Sequence, residues 1–207
     1  MERLICVLVG YVFGLIQTGY IYGKKNGVDL RKKGSGNAGT TNALRTMGWK
    51  AGAVTLLGDC FKCVAAVVVV HLIYGKTHTD MMPLLSMYAG MGAVLGHNYP
   101  FYLKFKGGKG IAATAGLIIS TTNIWIVLIC LAAFIAIVAT TRYVSLGSMT
   151  VVTIYLISVI VYGQHGGFGV ENVSYLHEMY GVAAFLMILA FWRHRANIKR
   201  LFRRHRE

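Results

Sequence analysis

The sequence predicts an all-α integral membrane protein with seven transmembrane helices, the N-terminus outside and the C-terminus cytoplasmic, and an active site at the cytoplasmic face. Three observations carry this. The chain of 207 residues is 56% hydrophobic and only 14% charged, a balance foreign to soluble domains of this size. Apolar runs of near-spanning length recur along it. The basic residues, which give a formal net charge of +14, fall between those runs. Distributed in this way they signal topology rather than a nucleic-acid surface.

The runs cover residues 4–22, 51–74, 82–103, 111–139, 144–162 and 179–192. The fourth would be about 43 Å long as one helix, more than a hydrocarbon core of about 30 Å accepts. Ser120-Thr121-Thr122-Asn123 interrupts it and suits a turn. Charge decides between six spans and seven. With the split near Asn123, every Lys and Arg except Arg3 and Lys76 lies on the inner side. Without it, Arg142 and the basic tail move outside, against the positive-inside rule. The two halves are short, so tilted or uneven helices are expected. Residues 1–207 read as one polytopic domain, with no cleavable leader evident at the start.

Cys6 and Cys130 lie within apolar runs, and Cys60-x-x-Cys63 has no second pair or histidine cluster beside it. The pattern points to packing, and no metal site, cofactor or disulfide framework is expected.

On this topology every polar, motif-like segment faces the cytoplasm. GSGNAGTTNALR (34–45) has the ingredients of an anion cradle. Its glycines let backbone N–H groups converge, Ser35, Thr40 and Thr41 add hydroxyls, and Arg45 brings a planar fork suited to phosphate. Thr40 to Met47 is expected to open a helix whose positive end favours an anion. A second cradle is expected in GHNYPFYLKFKGGKG (96–110), where Lys104, Lys106 and Lys109 flank Gly107 and Gly108 before a new helix. It is not a Walker A loop, because Gly110 and Ile111 follow Lys109. Asp59 and Lys62 lie one turn apart in an apolar helix and are expected to pair and brace the loops. His97, His194 and Asn197 lie on the same membrane face as the cradles. The basic tail also reads as a helix drawn to anionic lipid.

Two phosphate-suited loops beside the lipid phase fit a transferase joining a phosphorylated polar molecule to a lipid. A transporter for an organic phosphate is the alternative, but transporter sites sit near the midplane.

GSGNAGTTNALR, GHNYPFYLKFKGGKG and HRANIKR (194–200), with GDCFK (58–62) and RYVSLGS (142–148), resemble the motifs of the bacterial acyl-phosphate:glycerol-3-phosphate acyltransferase family, PlsY, in the same order over essentially the whole chain. The resemblance implies transfer of an acyl group from acyl phosphate, supplied by a soluble synthase, to glycerol 3-phosphate. The product would be 1-acyl-glycerol 3-phosphate, made in the bacterial inner membrane among its lipids. It implies catalysis assisted by a substrate phosphate, with no protein nucleophile. Ser35, Arg45, Lys109 and His194 would be catalytic. Gly36, Asn37, Thr41, Asn42, His97, Lys104, Gly107, Gly108, Ser145, Ser148 and Asn197 would bind substrate. The chain departs from the family pattern in three segments. Gly14-Leu15-Ile16-Gln17 lacks the family's Ser and Pro, Cys63 replaces a Gly, and the tail glutamate is displaced to Glu207.

Overall fold

A computed structural model describes residues 1–204, with side chains through residue 200; Arg206 and Glu207 lie outside the described residues. It is all-helical, with no strand among the described residues. Five stretches are long and apolar enough to cross a membrane: residues 2–25, 49–74, 124–141, 144–164 and 173–200. The other two expected spans are the shorter helices Met82–Asn98, of 17 residues, and Ile111–Thr121, of 11. The latter rises only about 16 Å, roughly half a hydrocarbon core.

The chain forms two compact units, residues 1–121 and 122–207. The first opens with α1 (Glu2–Gly14) and α2 (Thr18–Lys25), which divide the first expected span. The break falls at Leu15-Ile16-Gln17. Gln17 caps α2 there, 1% exposed, and its amide donates to the carbonyls of Gly14 (3.2 Å) and His97 (3.1 Å). Next come α3 (Thr40–Met47), α4 (Trp49–Tyr74), α5 (Met82–Asn98) and α6 (Ile111–Thr121). The central α4 touches α1, α2, α3, α5 and α6. Helices α1 and α5 meet backbone to backbone. A Cβ on Gly10, Gly14, Gly92 or Gly96 would strike the main chain of the facing helix, the small-residue seam typical of membrane helix pairs.

The second unit holds α7 (Ile124–Thr141), α8 (Val144–Gln164) and α9 (Val173–Arg204), with α8 against both neighbours. The expected division of the 111–139 run is present. Asn123 caps α7, its side chain accepting from the Ile126 amide at 3.0 Å. The basic tail is not a separate surface helix; it continues α9 without interruption, since Ala, Arg and Lys there all favour helix.

Candidate active site

The first loop is held from beneath. Leu30, Ala43 and Ala51 form a buried apolar cluster, joined by Tyr22, Val28 and Met47, which seats the loop and α3 on α4. Asn42, 2% exposed, ties the loop to itself. Its Oδ1 accepts from the Ser35 amide at 2.9 Å, and its two amide hydrogens go to the carbonyls of Leu30 and Lys33, each at 3.0 Å. Gly34 (φ 59°) must be glycine on two counts: its backbone is left-handed, and a Cβ would strike Asn42 Oδ1. Asn42 therefore shapes the cradle through the loop backbone. At the rim, Arg31 hydrogen-bonds Asp29 at 3.0 Å and holds that carboxyl below its usual pKa.

The N-terminus of α3 faces the loop without a side-chain cap. Asn37 packs against Gly39 there, and the Thr40 hydroxyl is buried without a hydrogen-bond partner. An uncapped helix start with spare donors fits an anion. Thr41 and Arg45, four residues apart on one face of α3, are exposed, as are Ser35 and Gly36.

The second loop folds back on the end of α5. The amides of Gly107 and Gly108 donate to the carbonyls of Asn98 (3.2 Å) and His97 (3.1 Å). Lys104 and Phe105 between them hold left-handed backbones, φ 54° and 58°, unusual for residues with side chains. Lys104 is exposed and Lys109 half-buried. The Asn98 side chain is fully buried with neither amide atom partnered, and a Cβ on the adjacent Gly110 would approach its Oδ1 within 2.7 Å.

His97, 2% exposed, links this loop to α4. Lys62 Nζ lies 2.8 Å from His97 Nδ1, 2.9 Å from Asp59 Oδ1 and 2.6 Å from the Ile16 carbonyl. The Asp59–Lys62 pair is thus present, and it extends to a third group. Both loops rest on the start of α2. The Ala38 carbonyl lies against Gly19, and the His97 carbonyl accepts from Gln17. The structure therefore brings the two expected cradles onto one footing.

In the second unit, Ser145 and Ser148 lie on the first turn and a half of α8, 8% and 2% exposed. Ser148 donates to the Val144 carbonyl at 2.8 Å. His194, buried in α9, bonds the Ala190 carbonyl through Nδ1 at 2.8 Å, and Asn197 follows one turn later, half-buried. Leu146, Met149, Thr150, Thr153, Ile154 and Phe191 line a largely apolar cleft of about 260 Å³ between α8 and α9.

A family model described as glycerol-3-phosphate acyltransferase matches residues 4–204. The chain belongs to the glycerol-3-phosphate acyltransferase family. It is 43% identical over 199 residues to the glycerol-3-phosphate acyltransferase of Clostridioides difficile, covering 96% of this chain and 91% of that one. The Bacillus subtilis member is 37% identical over 198 residues, with 94% and 91% covered. The fold matches crystal structures of PlsY (YgiH), an integral membrane glycerol 3-phosphate acyltransferase. Its glycerol 3-phosphate form has a TM-score of 0.82 at 31% identity, covering 98% of this chain and 92% of that one. Its lysophosphatidic acid form has a TM-score of 0.80 at 30% identity over the same shares.

Within this family member, sequence reasoning missed Gln17 and Asn98 and read Asp59 and Lys62 only as a brace. The signal for the last two was present, since an ion pair in an apolar helix is costly to place. Gln17 stood out only as a departure from the family pattern, and Asn98 lay unremarked inside the 96–110 motif, where its contact with Gly110 depends on how that loop folds back.

Proposed function

We propose that this chain transfers a fatty acyl group from acyl phosphate to the sn-1 hydroxyl of glycerol 3-phosphate at the cytoplasmic face of a bacterial inner membrane, with seven spans and an inside C-terminus. The hydroxyl oxygen attacks the acyl carbonyl carbon and the carbonyl–phosphate bond breaks. Orthophosphate leaves, and a substrate phosphate oxygen takes the hydroxyl proton. The observation that carries this reading is the pair of donor-rich loops seated together on residues 17–19, matched to two substrates that each bear a phosphate.

Ser35, Gly36, Asn37, Thr41 and Arg45 bind and neutralise one phosphate at the uncapped start of α3, with Asn42 holding their loop. Lys104 and Lys109 receive the other, on a turn that Gly107 and Gly108 close over His97, their own amides being spent on the carbonyls of Asn98 and His97. By the motif resemblance alone, Ser145, Ser148 and Asn197 are assigned to substrate binding and His194 to catalysis, and the apolar cleft beside Leu146 and Phe191 suits part of an acyl chain. An acyl phosphate already carries a good leaving group. The protein's task is to align the hydroxyl and stabilise charge, for which fixed donors suffice.

The test is lysophosphatidate formation by purified protein in detergent, with acyl phosphate, acyl-CoA and acyl carrier protein compared as donors. Product from acyl phosphate alone is expected; product from acyl-CoA instead would overturn the donor. Arg45→Ala and Lys109→Ala should each lower turnover by about 100-fold, the scale of one lost charge-stabilising donor. Wild-type rates in both would remove the cradle assignment.

A further inference from the structure

The contacts of His97 determine where its ring proton sits. An ammonium group carries three hydrogens and no acceptor. Lys62 has three neighbours at hydrogen-bond distance: Asp59 Oδ1, the Ile16 carbonyl and His97 Nδ1. The first two are acceptors, so the third contact is made only if Nδ1 also accepts. The rival arrangement, with a proton on Nδ1 shared with Asp59, has a separation of 3.5 Å, outside the usual range for such a bond. It would also aim that proton at the ammonium 2.8 Å away. The opposite edge of the ring faces the glycine loop. A Cβ on Gly108 would collide with His97 Nε2 and lie within 2.8 Å and 2.9 Å of the ring carbons beside it.

We propose that Lys62 is a positioning residue that fixes His97 as the neutral Nε2–H tautomer, so that the imidazole is a fixed hydrogen-bond donor to the anion held at residues 107–110 and not a base. Asp59 and the Ile16 carbonyl hold the ammonium in place. The donor half of this inference rests on reading residues 107–110 as a phosphate cradle; the tautomer half does not. A ring locked in this form has no lone pair on Nε2 to receive the substrate hydroxyl proton. It offers one uncharged donor beside Lys104 and Lys109, which complements an oxyanion without adding a charge that would hold the product phosphate.

The tautomer is read by nitrogen-15 spectra of histidine-labelled wild-type protein in detergent, the His97 signals being assigned by their loss in His97→Gln. A pyridine-type shift at Nδ1 and a pyrrole-type shift at Nε2 are expected. A protonated Nδ1 overturns the proposal. The donor role is read kinetically with acyl phosphate and glycerol 3-phosphate. Glutamine places an N–H near the position of Nε2, so His97→Gln should turn over about tenfold faster than His97→Ala, the worth of one hydrogen bond to a charged group. Equal losses in the two overturn the donor role. A background of Asp59→Asn with Lys62→Met removes the ammonium without stranding a charge. It should slow the enzyme when His97 is present and add no loss to His97→Gln, because an amide needs no tautomer set. The same loss in both backgrounds would make the pair merely structural and overturn the proposal. Failure of the cradle reading has its own sign, wild-type rates in Lys104→Ala and Lys109→Ala.

Discussion

His97 and His194 are both almost wholly buried, and each uses Nδ1 in a contact of 2.8 Å, but the partners differ in kind. His97 meets an ammonium, which only donates. His194 meets the carbonyl of Ala190, which only accepts, so its Nδ1 carries the proton. The same side chain is given opposite chemical faces by its neighbour. The neighbours also differ in origin. Ala190 is one turn back on the same helix, whereas Lys62 lies 35 residues away on α4. The two loops of the first unit repeat the contrast. Residues 34–39 are tied by Asn42, a few residues on. Residues 107–110 depend on a ring from α5 that is itself held by α4.

The sharpest way to break the long-range arrangement is Lys62→Met. It leaves Asp59, 1% exposed, as a buried carboxylate without its counter-ion, a loss of about 3–5 kcal/mol. Thermal unfolding in detergent should show a large drop in Tm, mostly restored when Asp59→Asn is added. A single variant as stable as the double would deny the pair its supporting role. Gly108→Ala comes next. The new methyl meets a ring that cannot yield easily, so about 1–3 kcal/mol of stability and most of the turnover should go. The local arrangement is probed by Asn42→Ala, which strips hydrogen-bond partners from the Leu30 and Lys33 carbonyls and the Ser35 amide. Its expected cost is about 1–2 kcal/mol, with faster tryptic cleavage after Lys32 and Lys33. Unchanged cleavage kinetics would mean that the apolar cluster alone holds the loop.

The smallest effect is reserved for the rim. Arg31 lowers the pKa of Asp29, so the pair's contribution is complete above the ordinary carboxylate value and is lost as pH falls through the lower folded value. Asp29→Asn should cost less than about 1 kcal/mol at neutral pH and remove that acid-side dependence from the Tm profile.

How much of this was readable in advance follows the same divide. The break at Asn123, the helix beginning at Thr40 and the Asp59–Lys62 pair depend on residues close in sequence. All of them were legible. The division of the first span at Gln17 was not, because the polar break is stabilised by carbonyls near residue 97. Nor was the continuity of the basic tail with α9, where charge suggested a boundary that helix propensity overrides. His97 and Asn42 were legible as residues of interest, but what each touches depended on the fold. Asn42 spends its amide hydrogens on the loop, and His97 answers to a helix that no spacing rule connects to it.

The seam between α1 and α5 ends at this site: Gly14 lies on Gly96, and just beyond it Gln17 reaches the His97 carbonyl. Along that seam the separation of the two helices is gauged by main chain against main chain, with no rotamer available to absorb an error. The position of the imidazole is thus registered like a machined part against a hard stop. A single methyl inserted one to two turns away, at Gly10 or Gly92, would propagate as a displacement of the segment around Gln17 and His97 and not dissipate in the packing between. Membrane thickness and temperature can reshape the lipid around this helix pair while leaving that gauge unchanged.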